Sequence, residues 1–428
     1  MNILTIPSWY PNPKLKTQGL FFRDQALALS KKHNVDVIYC HRGTAFYNKK
    51  YNDNGLNTYF WGYRLRAGKY IGMLIRILVF IAMYIKYQKK KKVDVIHCHS
   101  VAFNQDGSAG IAGVIIGKIF SKPVIITEHA TVFQAKNYSY IEKKIMKWAL
   151  ENASSLVAVS DGLKESLLEF TNREDIYTIP NTLDVKLFDI EKVKKSTSSN
   201  GVINICSVGY LMQKKGFDRL ILAFDKIKEN YNIAFQLKII GDGPDLDTLK
   251  EMIEQKGLKS NIEMLGEQSK DQIAYHMGQS DVFILLSRVE TFGVVFIEAL
   301  ASGLFCIATK SGGPEFIIKN DMLGELLENI DDANYFSEKI ANVLLSEKFK
   351  SDVSLRKKFV NDNYSYDSFL TSFDNLIMKY LHIIKKYSFF SIAPLITALI
   401  QLFSVFIIGH TLSGPELGLA GIFNTLIF

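Results

Sequence analysis

At 428 residues, with 48% hydrophobic and 22% charged side chains, the chain is too long for one core and too apolar to be disordered, so two or three globular domains are expected. Its formal charge of +8 is uneven: Lys and Arg outnumber Asp and Glu by 25 to 13 over residues 1–180 and fall short, 26 to 30, over the rest. The basic front half implies an anionic partner, nucleic acid or a membrane surface. Cys40, Cys98, Cys206 and Cys306 stand far apart in apolar runs, which suits reduced core cysteines of a cytosolic protein better than a disulfide framework. The first residues carry neither a basic n-region nor a cleavage site, so no signal peptide is expected.

In chain order, residues 2–6 read as a short strand, followed by a Pro-rich loop and then Gly19 at the start of a helix whose apolar residues follow helical spacing. A glycine between a strand and a helix start suits phosphate, although a plain helix start has the same pattern. Residues 35–40, 93–98, 123–127 and 154–160 read as further strands, and their alternation with helices predicts a parallel, doubly wound sheet. Residues 70–87 form a long apolar stretch broken by Arg76 and followed by Lys89, Lys90, Lys91 and Lys92. Either it is a helix packed on the sheet or an interfacial helix on anionic lipid. The basic front half tips the reading toward lipid.

His97 and His99 flank Cys98 on a strand, so the two imidazoles share one face and the thiol the other. Without a second cluster at zinc spacing, no metal site is expected there. His129 lies just past a strand end, facing the crevice, where it would bond a substrate hydroxyl and act near neutral pH, or simply cap the next turn.

Turn-rich residues 179–184 and the polar stretch 192–200 place a domain boundary near residue 180. The strand, Gly-loop, helix pattern then repeats, with strands at 202–208, 237–240, 261–265, 282–286 and 305–308. No G-x-G-x-x-G follows the first strand, so a dinucleotide-dependent oxidoreductase is poorly supported. Lys215 opens a helix beside a Gly loop, placed to neutralise a diphosphate. After the strand at 282–286, Glu290 falls in a polar loop and Glu298 inside the following helix. Carboxylates accept from hydroxyls while helix-start N–H groups take phosphate, so this strand end suits a polyhydroxy, anionic ligand.

Together these segments resemble a known family. Glu290, Phe292, Gly293 and Glu298 follow the E-x7-E motif of retaining glycosyltransferases. Gly209 with Lys215-Gly216-Phe217, Gly241-Asp242-Gly243-Pro244, Gly312-Gly313-Pro314-Glu315, Ile179-Pro180-Asn181 and Asp94-Val95-Ile96-His97-Cys98-His99 stand in that family's order. The chain resembles glycosyltransferase family 4 (glycosyltransferase group 1) over residues 1 to about 386. The resemblance implies an α/β GT-B fold: two Rossmann-like domains facing a cleft, residues 1–180 for the acceptor and 181–363 for the nucleotide sugar, with 364–386 crossing back to brace the first. It implies that Glu298 binds the ribose, Glu290 the transferred sugar, and Lys215 the diphosphate. It implies further that Phe292, Gly293 and Val294 offer backbone groups, that Gly19 lets the diphosphate approach, and that His129 contacts the sugar near the reacting carbon. The resemblance also places Gly209 and Tyr210 in the loop beside the diphosphate. The family often has Arg where Tyr210 stands, and Gly where Thr182 stands, so Lys215 carries more of the charge. The resemblance implies transfer with retention and no cofactor or bound metal beyond the nucleotide-sugar co-substrate.

Residues 389–408 carry no charged side chain, and Lys385 and Lys386 precede them, which suits a membrane span with a cytoplasmic flank. With Gly414-Pro415-Glu416 and the following apolar run, 387–428 resembles the start of a polysaccharide flippase; a simple anchor has the same signature. The expectation is a hexosyltransferase at the cytoplasmic face of a bacterial inner membrane, acting on a lipid-linked oligosaccharide of a surface polysaccharide, with no nucleic acid partner. A nucleotide-sugar epimerase, a phosphorylase, and a non-catalytic sugar-binding or flippase-assembly subunit are the alternatives.

Overall fold

The structure, a computed structural model, describes residues 1–11, 18–43, 46–64, 68–102, 108–189 and 201–386, with 380–386 given by backbone alone. The stretch 192–200 and the tail 387–428, with its expected span and flippase-like turn, lie outside the described residues.

Two sheets form the framework. The first holds β1 (Asn2–Pro7), β2 (Asn34–Arg42), β3 (Tyr47–Asp53), β4 (Leu56–Tyr63), β5 (Val95–His99), β6 (Val124–Glu128), β7 (Ser155–Ala158) and β8 (Ile176–Thr178), in the order β3-β4-β2-β1-β5-β6-β7-β8. All neighbours are parallel except β3 with β4. Helices α1 (Leu20–Ser30), α2 (Lys69–Gln88), α3 (Ala109–Phe120), α4 (Val132–Ala135), α5 (Tyr140–Asn152), α6 (Asp161–Phe170) and α7 (Val185–Phe188) connect and follow these strands. The second sheet is parallel throughout: β9 (Ile203–Val208), β10 (Phe235–Ile240), β11 (Ile262–Gly266), β12 (Val282–Leu285), β13 (Phe305–Thr309) and β14 (Gly324–Leu327), in the order β11-β10-β9-β12-β13-β14. Its helices are α8 (Phe217–Asn230), α9 (Leu246–Gln255), α10 (Lys270–Gly278), α11 (Val294–Ala301), α12 (Pro314–Ile317), α13 (Ala333–Ser346) and α14 (Val353–Tyr364). Strands such as Val282–Leu285 and Val124–Glu128 are buried along their whole length. Helices cover both faces of each sheet, which is why these strands read as unbroken apolar runs.

The β3–β4 hairpin adds two strands to those expected from the sequence. Asn54 and Gly55 both take positive φ, 50° and 97°, the backbone of a two-residue hairpin turn. β3 is exposed along most of its length, so its lysine-rich sequence hides the strand.

The reading of residues 70–87 divides between the two faces of α2. Met73, Ile77, Phe80, Met83 and Tyr84 enter the core, and the Arg76 guanidinium is itself buried, donating to the Cys40 carbonyl at 2.9 Å. The helix therefore packs on the sheet. Its other face presents Ile71, Leu78 and Ile85, which are 46, 57 and 39% exposed.

α15 (Tyr366–Lys386) crosses back onto the first sheet, where Phe369, Phe373, Leu376 and Ile377 share a core with Ile3, Val37, Val95 and Ile125. The junction is tied by Thr182, whose hydroxyl donates to the Tyr364 carbonyl at 2.7 Å. The threonine at that departure from the family thus has a bond of its own.

Beneath α15, His97 lies against the Phe373 ring and against His99, with centroids 4.6 and 4.2 Å away. The two imidazoles share a face, and Cys98 packs toward Gly113 on the other. Burial pushes the His97 imidazole down to about 3, so it is neutral, bonded through Nε2 to Thr127 Oγ1 at 2.8 Å. The unfolded chain binds a proton here near pH 6.5 and the folded one does not, so stability falls as pH drops below about 6.5. The loss by pH 4 is on the order of a few kcal/mol. Melting temperatures between pH 7.5 and 4.5 are expected to fall steeply for the wild type and less steeply for His97→Gln; parallel curves would count against a buried neutral His97.

Candidate functional site

The C-terminal ends of both sheets' strands face one cleft, and the loops there hold the polar side chains. Glu290 follows β12, and its buried carboxylate is ion-paired with the Lys215 ammonium from the turn before α8. A buried carboxylate needs such a partner, and the loop is braced to hold it. Arg288 donates three hydrogen bonds, two to Asp218 and one to Asp331, and so clamps the loop to α8, with Nη2 2.7 Å from an oxygen of each carboxylate. These acids, Asp218 first, hold the Arg288 guanidinium above its ordinary range. Backbone bonds from Arg288 N to Lys214 O (2.7 Å) and Glu290 N to Ser311 O (3.0 Å) join the three loops.

Lys214 is a residue the sequence reading passed over. Its ammonium comes within 3.5 Å of Thr131 Oγ1, across the cleft from its own sheet. Burial, then repulsion from Lys215, lowers its pKa, and Glu290 pulls the other way. Lys214 and Lys215 both lie in the 3-10 turn Gln213–Lys215, and their ammonium groups reach Thr131 and Glu290 respectively, so two lysines stand at the cleft where Tyr210 brings no charge. Tyr210 itself is 59% exposed.

Gly293 caps α11 with φ 85°, a left-handed backbone that glycine adopts without strain. The N–H groups of Val294 and Val295 open the helix and point the positive end of its dipole into the site. The Phe292 ring is buried against Phe316 and Tyr364, so only its backbone is available to a ligand. One turn on, Glu298 is buried with its Oε1 3.7 Å from the Lys270 ammonium. Burial raises the Glu298 pKa, Lys270 opposes it, and the neighbouring Asp24 adds to it.

From the first sheet, Gly19 caps α1 with φ 74°, and a Cβ there would lie 2.6 Å from the Trp9 carbonyl oxygen. Backbone packing alone therefore demands a glycine at 19. His129 corrects the expectation of a group titrating near neutrality. It is buried beside Phe21, Phe22 and His99, with Nε2 3.2 Å from His99 Nδ1. Burial and then His97 hold it well below the ordinary histidine range, so it can bond a ligand but brings no charge. Its Nδ1 has no protein partner, and neither have Gln134 Oε1, Ser287 Oγ and Ser311 Oγ; such buried polar atoms around one cleft suit a polar ligand.

Glu128, unremarked in the sequence, positions His129. Its buried carboxylate accepts from Ser100 Oγ and from the N–H groups of Val101, His129 and Ala130, at 2.7–2.9 Å.

The two halves touch across the cleft. Ser160, the N-cap of α6, donates from Oγ to the Thr291 carbonyl at 2.6 Å. Among the described residues no group of three His, Cys, Asp or Glu side chains gathers as a metal site.

This arrangement, two sheets parallel but for the β3 edge, with strand ends and cationic loops on one cleft, is the GT-B fold. Anabaena HepE, solved in complex with UDP and glucose, has a similar fold, with a TM-score of 0.69 at 17% identity over 88% of this chain and 99% of that one. Residues 18–187 match the family described as Glycosyltransferase Family 4, and residues 189–364 the one described as Glycosyl transferases group 1. The chain belongs to these GT-B glycosyltransferases. It is 24% identical over 297 residues to the N-acetyl-alpha-D-glucosaminyl L-malate synthase of Bacillus anthracis, covering 67% of this chain and 75% of that protein. It is 25% identical over 308 residues to the phosphatidylinositol N-acetylglucosaminyltransferase gpi3 subunit of Schizosaccharomyces pombe, covering 68% and 66%.

A Cβ on Gly162 in α6 would lie 2.7 Å from the Gly312 carbonyl oxygen of the opposite half. Gly162→Ala is expected to favour the helix itself by about 0.5–1 kcal/mol while holding the halves apart. Small-angle scattering should then show a larger maximum dimension at an equal or higher melting temperature; an unchanged profile would mean that the contact yields.

Proposed function

We propose that the protein transfers a hexose, with retention, from a UDP- or GDP-linked sugar to a lipid-linked oligosaccharide of a surface polysaccharide. The observation that carries the donor reading is the Lys215–Glu290 pair beside the start of α11. On donor arrival, Lys215 turns from Glu290 to the diphosphate, and Glu290 accepts from hydroxyls of the sugar. Lys214, Lys215 and the N–H groups of Val294 and Val295 meet the charge that develops on the departing diphosphate. Glu298 accepts from the ribose hydroxyls. The acceptor oxygen bonds to the anomeric carbon on the face the diphosphate leaves, and the acceptor proton passes to the departing phosphate oxygen. His129 contributes a hydrogen bond as a neutral imidazole. The lysines fill the part that a bound metal plays elsewhere, so transfer is proposed to need none.

UDP in the HepE structure and the N-acetylglucosaminyl group named in both relatives put UDP-N-acetylglucosamine first in a donor panel. Incubation with UDP- and GDP-sugars and membrane-lipid acceptors is expected to give a glycosylated lipid, reduced by about 100-fold or more in Glu290→Gln and Lys215→Ala. No consumption of any donor, or full activity in both variants, would overturn the reading.

The membrane is proposed as a partner, at the cytoplasmic face of a bacterial inner membrane. The support is the exposed stripe Ile71, Leu78 and Ile85 of α2 with exposed Lys89 and Lys90 at its end, an apolar face with a basic rim that suits anionic lipid. Since all four native cysteines are buried, a fluorophore on Leu78→Cys reports this face alone. A blue shift is expected with phosphatidylglycerol vesicles and not with phosphatidylcholine; equal spectra in both would remove α2 as the contact.

A further inference from the structure

Three charged side chains from distant parts of the chain meet behind the donor site. Asp24 comes from α1 of the first half, and Lys270 and Glu298 from α10 and α11 of the second. Their side chains are only 4, 11 and 9% exposed. The Lys270 ammonium donates to Asp24 Oδ2 at 2.5 Å but stands 3.7 Å from Glu298 Oε1. Asp24 Oδ1 accepts from the Tyr366 hydroxyl of α15 at 2.9 Å. Burial alone would favour loss of the Lys270 proton, yet Asp24 and Glu298 outweigh it and raise its pKa.

The two distances differ in consequence. At 3.7 Å the ammonium neutralises Glu298 without occupying it, so the carboxylate oxygens stay available as acceptors. Asp24 holds the ammonium there. Lys270 begins α10, whose start is fixed by the Ser269–Gln272 capping box, so it travels with Glu298 when the cleft opens, while Asp24 travels with the other half. Parted from Asp24, the ammonium keeps Glu298 as its other carboxylate neighbour, 3.7 Å away on its own half, and pairs with it. The same oxygens are then taken.

We propose that Lys270 is a positioning residue shared between the halves: Asp24, across the cleft, draws it off Glu298 and so frees that carboxylate for the ribose hydroxyls of the nucleotide. Closing the cleft and readying the nucleotide anchor are then one event. This rests on the donor reading above for Glu298 and adds Asp24, Lys270 and Tyr366 to it. Arg23, next to Asp24, lies 3.5 Å from Asp53 on β3, so α1 also touches the hairpin of the first half.

The test compares binding of UDP with that of 2′,3′-dideoxy-UDP, which lacks both ribose hydroxyls, by titration calorimetry, with the guanosine pair run in parallel. The wild type is expected to prefer the ribose form by about tenfold or more, equivalent to about 1.4 kcal/mol. Asp24→Asn keeps the shape and an acceptor for Tyr366, and is expected to lose most of that preference while binding the dideoxy form as the wild type does. Tyr366→Phe removes only the hydroxyl that steadies Asp24, and is expected to lose part of it; it serves also if Asp24→Asn does not fold. Wild-type preference retained in both variants would overturn the inference and leave the donor reading standing. Failure of the wild type to bind either nucleotide, or to distinguish its two forms, would overturn the donor reading and this inference with it.

Discussion

Two carboxylates, Glu290 just before α11 and Glu298 within it, are buried, and a buried carboxylate that is not fully hydrogen-bonded demands a cation. Each has its own lysine, and each lysine imposes an arrangement on the chain. Lys215 must come from the turn before α8, so the loop after β12 is clamped to that helix by Arg288. Lys270 must come from α10, and its second partner, Asp24, lies 246 residues away in the other half. The cleft is thereby fixed from both sides by charge pairing, with Ser160–Thr291 and the Gly162–Gly312 contact adding close packing.

The same pairing accounts for the chemistry proposed. The Lys215 and Lys270 ammonium groups are each paired with a carboxylate, and in the proposed reading the diphosphate and hydroxyls of the donor take over the partners of the Lys215–Glu290 pair. Glu128 and the neutral histidines serve a different end. They hold the loop after β6 rigid through backbone bonds, and they bring no charge that would compete for the lysines.

Much of the framework was legible in the sequence because parallel strands covered on both faces must be apolar throughout, as Val282–Leu285 is. β3 was not, since an exposed edge strand carries lysines and asparagines; the Asn54-Gly55 pair was the available signal. Glu290, Lys215 and Glu298 could be read because their spacing within one half is local to strand ends. Lys214 could not, because its contact with Thr131 is made between segments far apart in the sequence. Asp24 and Lys270 could not either, because nothing local marks a pair formed between distant helices. For His129, position alone suggested a titrating group; the burial that keeps it neutral is a property of the packed core around Phe21, Phe22 and His99.

The central claim is that a nucleotide sugar sits between the two halves and is held by both. Hydrogen exchange with and without saturating UDP or GDP tests it most directly. The account predicts slower exchange in residues 209–217 and 288–298 of the second half and, at the same time, in α1 of the first. Slower exchange confined to the second half, or none at all, would contradict it.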